Sequence, residues 1–437
     1  MKKHTQSPYE SSKVSYKPSG IEWLGEIPQS WEIRRLKHLT ILFTGESIKD
    51  ADKDKYSIVE NAIPYIATKD IGLDSNDVNY NNGMFIQNDD TGFKRAYKNS
   101  TLLCLEGANA GKKIAFLNQE VCFVNKLCCI SNKSKELDSK ALFYFFQGSF
   151  FKNTFFSNIS GLIGGVTTTQ LGNFKIPLPP LQEQKEIAEF LDKKCEKIQN
   201  YINKKQKLIT LLQEKKQALI NEAVCGRVAC HTERSEVSTT AYKPSGIEYL
   251  GLIPHHWEVR RMKFMASIHN GREQTEIADE NGIYPIYGSG GILGKSMYFI
   301  YDKPSVLLGR KGTIDKPLFV EEPFWTIDTM FYTSVSKIVL PKYFYYLCLT
   351  IDFQFYISGS AIPSMTQYDL ANISFALPPL QEQKQIANFL DEKCEKINSV
   401  IEKTKKQIEL VKEYKNTLIN EAVCGRINLQ KRRGYDY

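Results

Sequence analysis

Between Leu181 and Val224 the chain contains neither Pro nor Gly, and apolar residues recur at Ile187, Leu191, Ile198, Ile202, Ile209, Leu212 and Leu219. Intervals of three, four and seven place these side chains on one stripe of an α-helix. Lys, Glu and Gln crowd the remaining faces. Pro179–Pro180 ahead of the stretch and Gly226 behind it supply its start and stop. The same pattern returns at Ile386, Leu390, Ile397, Ile401, Ile408, Val411 and Leu418. At 1.5 Å per residue each helix is roughly 65 Å long. A lone helix of that length cannot bury its stripe. Either the two helices pair as a coiled coil or each packs along its own domain. The stripe outruns a domain of about 150 residues, which favours pairing. Antiparallel pairing relates the halves by a pseudo-twofold axis and puts a domain at each end of a stiff rod, a geometry that measures distance.

The helices belong to a longer repetition. Residues 16–40 read YKPSGIEWLGEIPQSWEIRRLKHLT and residues 242–266 read YKPSGIEYLGLIPHHWEVRRMKFMA, 226 positions apart. LPPLQEQKEIAEFLDKKCEKI from Leu178 returns as LPPLQEQKQIANFLDEKCEKI from Leu377, 199 positions apart, and both copies run on to NEAVCGR. The two spacings differ by 27, so the segment between the similar blocks is 27 residues longer in the first half. A unit this large is a duplicated domain and helix, not a solenoid repeat.

The middles diverge but share a skeleton. Apolar, strand-like runs at 101–105 and 305–308 lead into Gly-rich basic loops at 106–113 and 309–313. Further strand-like runs follow at 121–130 and 324–333, then aromatic-rich helical stretches at 140–156 and 342–357 and small-residue loops at 160–165 and 358–362. Strands mixed with helices imply a small α/β domain in each half. The aromatics, 12% of the chain, fall at helical spacing and read as core in preference to base-stacking platforms. The Gly-rich loops are better contact candidates, because glycine lets a backbone approach a ligand. Lys112, Lys113, Arg310 and Lys311 can reach phosphates or guanine edges; a tight surface turn with solvated charges is the alternative.

Composition narrows the partners. The 437 residues carry a formal net charge of +8, which permits a nucleic-acid partner without demanding one. No apolar run approaches the ~18–20 residues of a membrane span, and the first residues lack the apolar core of a secretory signal, so a cytoplasmic protein that does not engage membranes is expected. The ten cysteines lack paired C-x₂-C spacing and are expected to be reduced and mostly buried, with no metal site.

Catalytic signatures fail on spacing. Gly107 and Gly111 are separated by three residues, not four, and Lys113 stands where a phosphate loop needs Ser or Thr. Tyr287–Gly294 misses the dinucleotide fingerprint, since Leu293 takes the third glycine position, and reads as a turn. His255–His256 face Gln29–Ser30 in the other copy, so no histidine function is shared. There is no Asn-Pro-Pro-aromatic motif of an amino-methyltransferase and no carboxylate cluster of a nuclease.

The block L-P-P-L-x-E-Q-x-x-I-A-x-F-L-D at Leu178–Asp192 and Leu377–Asp391 resembles the specificity subunits of type I restriction–modification enzymes. The pattern K-P-S-G-I-E-x-L-G-x-I-P-x-x-W-E-x-x-R at Lys17–Arg35 and Lys243–Arg261 is similar to the same family, and the likeness covers nearly the whole chain, twice. It implies two small mixed α/β target-recognition domains joined by two long antiparallel coiled-coil helices in a pseudo-twofold tandem repeat. The division is an N-terminal tail 1–15, a first domain 16–180, a helix 181–226, a linker 227–241, a second domain 242–379, a helix 380–426 and a basic tail 427–437. The chain is then a non-catalytic DNA-binding subunit whose domains each read half of an asymmetric, bipartite site on double-stranded DNA. Its helices set the spacer. It binds no cofactor: S-adenosylmethionine, ATP and Mg belong to two methyltransferase subunits and to the two restriction subunits that can join them. A type IIB-like specificity subunit, a coiled-coil scaffold that does not bind DNA, and an enzyme with degenerate motifs are the alternatives.

Base-reading residues do not transfer within such a family. The candidates for DNA contact are Lys69, Asn109, Lys112, Lys113, Ser160, Gly164, Thr167 and Thr168 in the first half. In the second they are Tyr287, Ser289, Arg310, Lys311, Thr313, Ser360, Ser364 and Thr366.

Overall fold

The computed structural model describes residues 15–57, 59–161, 164–228, 241–356 and 363–427. The expected linker and both tails fall almost wholly outside these residues. The chain forms two compact units, one built from 1–205 with 406–437 and the other from 206–405. Each unit therefore combines one divergent domain, the first half of the helix that follows it, and the last turns of the other long helix.

In unit 1, Thr40–Thr44, Leu127–Asn132, Thr101–Cys104 and Ile114–Phe116 form an antiparallel sheet in that order. A second sheet is ordered Phe85–Gln87, Ala62–Ile66, Val121–Phe123 and Arg95–Ala96, with Val121–Phe123 parallel to Ala62–Ile66. Glu32–Arg35 pairs with Lys175–Leu178, the strand that enters the proline corner. Unit 2 repeats this plan: Ala266–Asn270, Met330–Val335, Ser305–Gly309 and Leu318–Val320 form the first sheet. Gly291–Ser296, Tyr284–Gly288 and Trp325–Thr326 form the second, and Glu258–Arg261 pairs with Ser374–Leu377.

Much of the extra length of the first half sits in one place. Ala62–Ile66 and Phe85–Gln87 are joined by residues 67–84, whereas Tyr284–Gly288 and Gly291–Ser296 are joined by Ser289–Gly290 alone. The glycines at 288–294 thus make a hairpin as well as the expected turn.

Most of the aromatic side chains are core, as their spacing predicted: Phe145, Phe146, Phe150, Phe151 and Phe155 are fully buried, and so are Tyr343 and Phe344, whereas Phe156 and Phe355 at the ends of the stretches are exposed. The first stretch is not one helix. It breaks at Gly148 into Ser139–Gln147 and Ser149–Ser157. Gly148 adopts an extended backbone, and a Cβ there would meet Val423 Cγ2 at 3.0 Å. The second stretch is helical over Pro341–Cys348 and continues as a 3₁₀ turn at Phe353–Tyr356.

The long helices run Leu181–Val224 and Leu380–Val423, matching the periodic stretches. Both end in the same αL cap. Gly226 has φ +71°, its N–H bonds Ala223 O and the Arg227 N–H bonds Glu222 O, the two bonds of a Schellman motif. Gly425 and Arg426 repeat this on Ala422 and Glu421.

The helices pair antiparallel within each unit. In unit 2, Trp257 donates from Nε1 to Glu382 Oε2 at 2.9 Å near the start of the second helix. The end of the first helix lies against the same indole: a Cβ on Gly226 would meet Trp257 Cη2 at 3.1 Å, and Tyr242 OH donates to Gly226 O at 2.8 Å. Lys216 Nζ reaches Asn398 Oδ1 at 3.0 Å. Ile220, Ala223 and Val224 share a core with Trp257, Ile386 and Leu390. Unit 1 reverses the helices' roles. Trp31 and Pro28 flank Gly425, Tyr16 OH donates to Gly425 O at 3.1 Å, and the Ser149 N–H donates to Asn420 Oδ1 at 2.6 Å.

Candidate nucleic-acid interface

The repeated motif holds each domain to its long helix. Gln184 and Gln383 are fully buried, and such an amide is tolerated only when its polar atoms are paired. Gln184 Oε1 accepts the Asp138 N–H at 2.8 Å, and Nε2 donates to Glu136 O and Pro179 O, both at 2.8 Å. Gln383 repeats all three with Leu340 N, Ile338 O and Pro378 O. Each glutamine therefore fastens the head of its long helix to the segment that starts the aromatic helix. About two turns on along each long helix, Tyr144 and Lys140 meet Asp192 at 2.6 and 3.3 Å, and Tyr346 and Lys342 meet Asp391 at the same distances. Burial, and then the carboxylate partner, push both tyrosine hydroxyls well above their ordinary range.

On this frame the candidate loops converge within unit 1. The Gly107 N–H bonds Gly164 O at 3.0 Å, the Val166 N–H bonds Leu105 O at 3.1 Å, and Gly165 bridges both Glu106 and Ser160. The Gly-rich loop and the small-residue loop are thus one surface. Lys113 Nζ donates to Thr68 O at 2.8 Å, which brings the turn carrying Lys69 to the same place. Asn109 O accepts the Lys112 N–H, and Lys112 Nζ folds back on Ala108 O at 3.0 Å while the side chain stays exposed. Gly111, at φ +69°, sits on Phe155, whose ring carbon would lie 2.6 Å from a Cβ, so the core sets the loop's height.

Unit 2 gathers its candidates the same way. The N–H groups of Arg310 and Lys311 both reach Thr329 O, the Gly312 N–H bonds Pro363 O at 3.0 Å, and the Met365 N–H bonds Arg310 O at 3.0 Å. Lys311 bridges Ser364. Ser289 joins from the hairpin turn, its N–H directed at Thr329 Oγ1 and its hydroxyl beside Gly312. Arg310 Nη1 donates to Asp328 O at 3.1 Å, and Thr313 follows on the same loop, where its carbonyl closes over Gly309. Tyr287 stands at the end of its strand edge-on to Phe324, with burial raising its hydroxyl pKa. Ser360 lies outside the described residues.

Some candidates already have structural employment. Thr167 and Thr366 are N-caps, accepting the N–H groups of Gln170 and Asp369, and Thr168 opens the helix that Thr167 caps. Lys113 is a tether. Sequence reasoning overlooked Thr329, whose carbonyl and hydroxyl organise the second surface, and Asp70, which holds the Lys69 turn; neither sits in a motif. It also gave His256 no partner, yet His256 Nε2 lies 2.8 Å from Glu382 Oε1.

Among the described residues, no group of three or more His, Cys, Asp or Glu is arranged to hold a metal ion, and no helix is long and apolar enough to cross a membrane. The described cysteines are unpaired, and all but Cys195 are buried.

A family model described as the type I restriction modification DNA specificity domain matches residues 28–213 and 254–410. The chain belongs to this family. Its two domains accordingly serve DNA sequence recognition in a type I restriction–modification system. Among relatives, the type I restriction enzyme MjaVIII specificity subunit of Methanocaldococcus jannaschii is 26% identical over 92% of this chain and 94% of its own length. The putative MjaX specificity subunit of the same organism is 25% identical over 93% and 96%. A solved structure described as the structural basis underlying complex assembly and conformational transition of the type I R-M system has a similar fold. It gives a TM-score of 0.67 at 15% identity, covering 92% of this chain and 99% of that one.

Proposed function

We propose that each unit reads one half of an asymmetric, bipartite DNA site through its Gly-loop surface, and that the paired helices set the spacer between half-sites. The observation that carries this reading is that one repeated frame presents two different surfaces at the same location. Gly107 joins Gly164 in one unit and Gly312 joins Pro363 in the other, but the neighbouring residues differ, Glu106 and Ala108 against Lys311 and Thr313. A dimeric reader with identical ends selects an inverted repeat; unlike ends select unlike half-sites. Exposed Lys69, Lys112 and Lys311, with Arg310, supply phosphate neutralisation and guanine readout.

The chain contributes binding and positioning, and the chemistry resides on its partners. Two methyltransferase subunits, one per pseudo-symmetric half, carry S-adenosylmethionine and methylate adenine. Restriction subunits carrying ATP and Mg complete the nuclease. This assignment places the complex with the DNA of the cytoplasm.

The test is to co-express the chain with its methyltransferase and map modified adenines by long-read sequencing. The expected motif has two different half-sites and a fixed gap, and a continuous or palindromic motif would contradict the proposal.

A further inference from the structure

Residues 67–84 form a long loop that unit 2 replaces with a two-residue turn, and the loop is closed by a carboxylate. Asp70 is buried, and its Oδ2 accepts both the Ala67 N–H at 2.8 Å and Asn82 Nδ2 at 2.7 Å. The same Asn82 amide donates to Tyr65 O at 2.8 Å, and the Asn79 N–H bonds Asp70 O at 2.8 Å. One oxygen thus ties the neck of the loop at both ends. The far end is fixed as well, because Asp74 meets Lys412 at 3.1 Å and Asn76 donates to Gln147 at 3.0 Å. Between neck and tip, Thr68–Asp70 is a single 3₁₀ turn. Its Thr68 carbonyl is held by Lys113 from the Gly-rich loop, and its Lys69 side chain is exposed and makes no ion pair among the described residues.

A buried carboxylate spent on holding a turn, with an unpaired cation as the turn's exposed product, is a positioning arrangement. We propose that Asp70 is a positioning residue for DNA recognition by unit 1, fixing Lys69 where it contacts a phosphate beside the Gly-rich loop. Among the described residues unit 2 has no equivalent clamp, since Ser289–Gly290 replace the loop, so the device belongs to one half-site only. The proposal rests on the DNA-facing assignment of this surface.

Removing a carboxylate from a protein that binds DNA ordinarily strengthens binding, because net positive charge rises. Here removal weakens it. The full chain in complex with its methyltransferase is titrated with a duplex carrying the mapped target, from low to high salt. Lys69→Ala is expected to reduce the slope of log K against log salt by about 0.9, equivalent to roughly eightfold weaker binding at 0.1 M salt. Asp70→Ala is expected to lose at least half of that slope although it removes no cation. Asp70→Asn keeps an oxygen able to accept both bonds and is expected to bind like the wild type. A merely destabilised protein would lower the active fraction and leave the slope alone, so stoichiometric titration of each variant separates the two effects.

Unchanged or tighter binding by Asp70→Ala while Lys69→Ala weakens would overturn the proposal, as would Asp70→Asn behaving like Asp70→Ala. If Lys69→Ala has no effect but Lys112→Ala weakens binding, the DNA-facing surface stands and the positioning role falls. If neither lysine variant alters binding, the surface assignment falls and takes the proposal with it.

Discussion

Gln184 and Gln383 occupy the same place in their units and make the same three hydrogen bonds. Lys69 in unit 1 has no counterpart in unit 2, because the loop that carries it is absent there. Between these extremes the molecule sorts cleanly. Gln184, Tyr144 and Asp192, which join a domain to its long helix, recur as Gln383, Tyr346 and Asp391 down to the hydrogen bond, and residues on the Gly-loop surface do not recur. Repetition marks what is geometrically fixed; on the proposed function, its loss marks what is free to encode a target.

The comparison predicts equal damage from matched substitutions in the frame. Gln184→Ala and Gln383→Ala each strand buried backbone groups, at about 1–3 kcal/mol per orphaned group. A loss of about 2–4 kcal/mol is expected in both variants by denaturant unfolding. A large difference between them would show that the two frames are not equivalent.

Gly226→Ala and Gly425→Ala come next. Each forces a Cβ into a left-handed backbone, worth about 1–2 kcal/mol. The Cβ would also lie 2.5 Å from Pro254 Cγ in one unit and 2.6 Å from Pro28 Cδ in the other. Thermal unfolding should register similar losses for the pair, and neither variant should shift the methylated motif.

One element of the frame differs between halves and gives the smallest effect. Glu382 is held by Trp257 and His256. Glu183, its counterpart, faces Trp31 but has Ser30 where His256 stands in the other copy. The Trp31 indole nitrogen beside it makes no well-formed hydrogen bond, and burial raises the Glu183 carboxyl pKa. A carboxyl raised in the folded state imposes no penalty when pH is low enough to protonate both states, and stability is lost as pH rises through the raised pKa. Glu183→Gln should therefore raise the melting temperature slightly at neutral pH, with no gain at pH 4. Glu382→Gln should lower it, since the Trp257 and His256 hydrogen bonds then lose their charged acceptor. Parallel behaviour of the two variants would erase this distinction.

What could be read in the sequence follows the same division. The helices were legible because 44 residues without Pro or Gly and a sustained stripe admit few other structures. The two-domain plan was legible because the blocks repeat. The Gly-rich loops were legible as surfaces because glycine and lysine together favour close, charged approach. Individual roles were not. Thr167 caps a helix and Lys113 holds Thr68 O, structural roles that neither residue's setting in the sequence announces. Asp70 and Thr329 act through pairings that only the folded chain creates, across separations that no spacing rule covers. The split of each long helix between two units was also hidden, since periodicity shows which face is apolar but not what covers it.

The central claim is that target specificity is divided between two unlike surfaces on one repeated frame. Its most direct test compares methylation maps from the wild-type complex and from one carrying Arg310→Ala with Lys311→Ala. The account predicts relaxed base preference or selective loss of readout confined to one half-site, with the other half-site and the spacer unchanged. Relaxation spread over both half-sites, or a changed spacer, would contradict it.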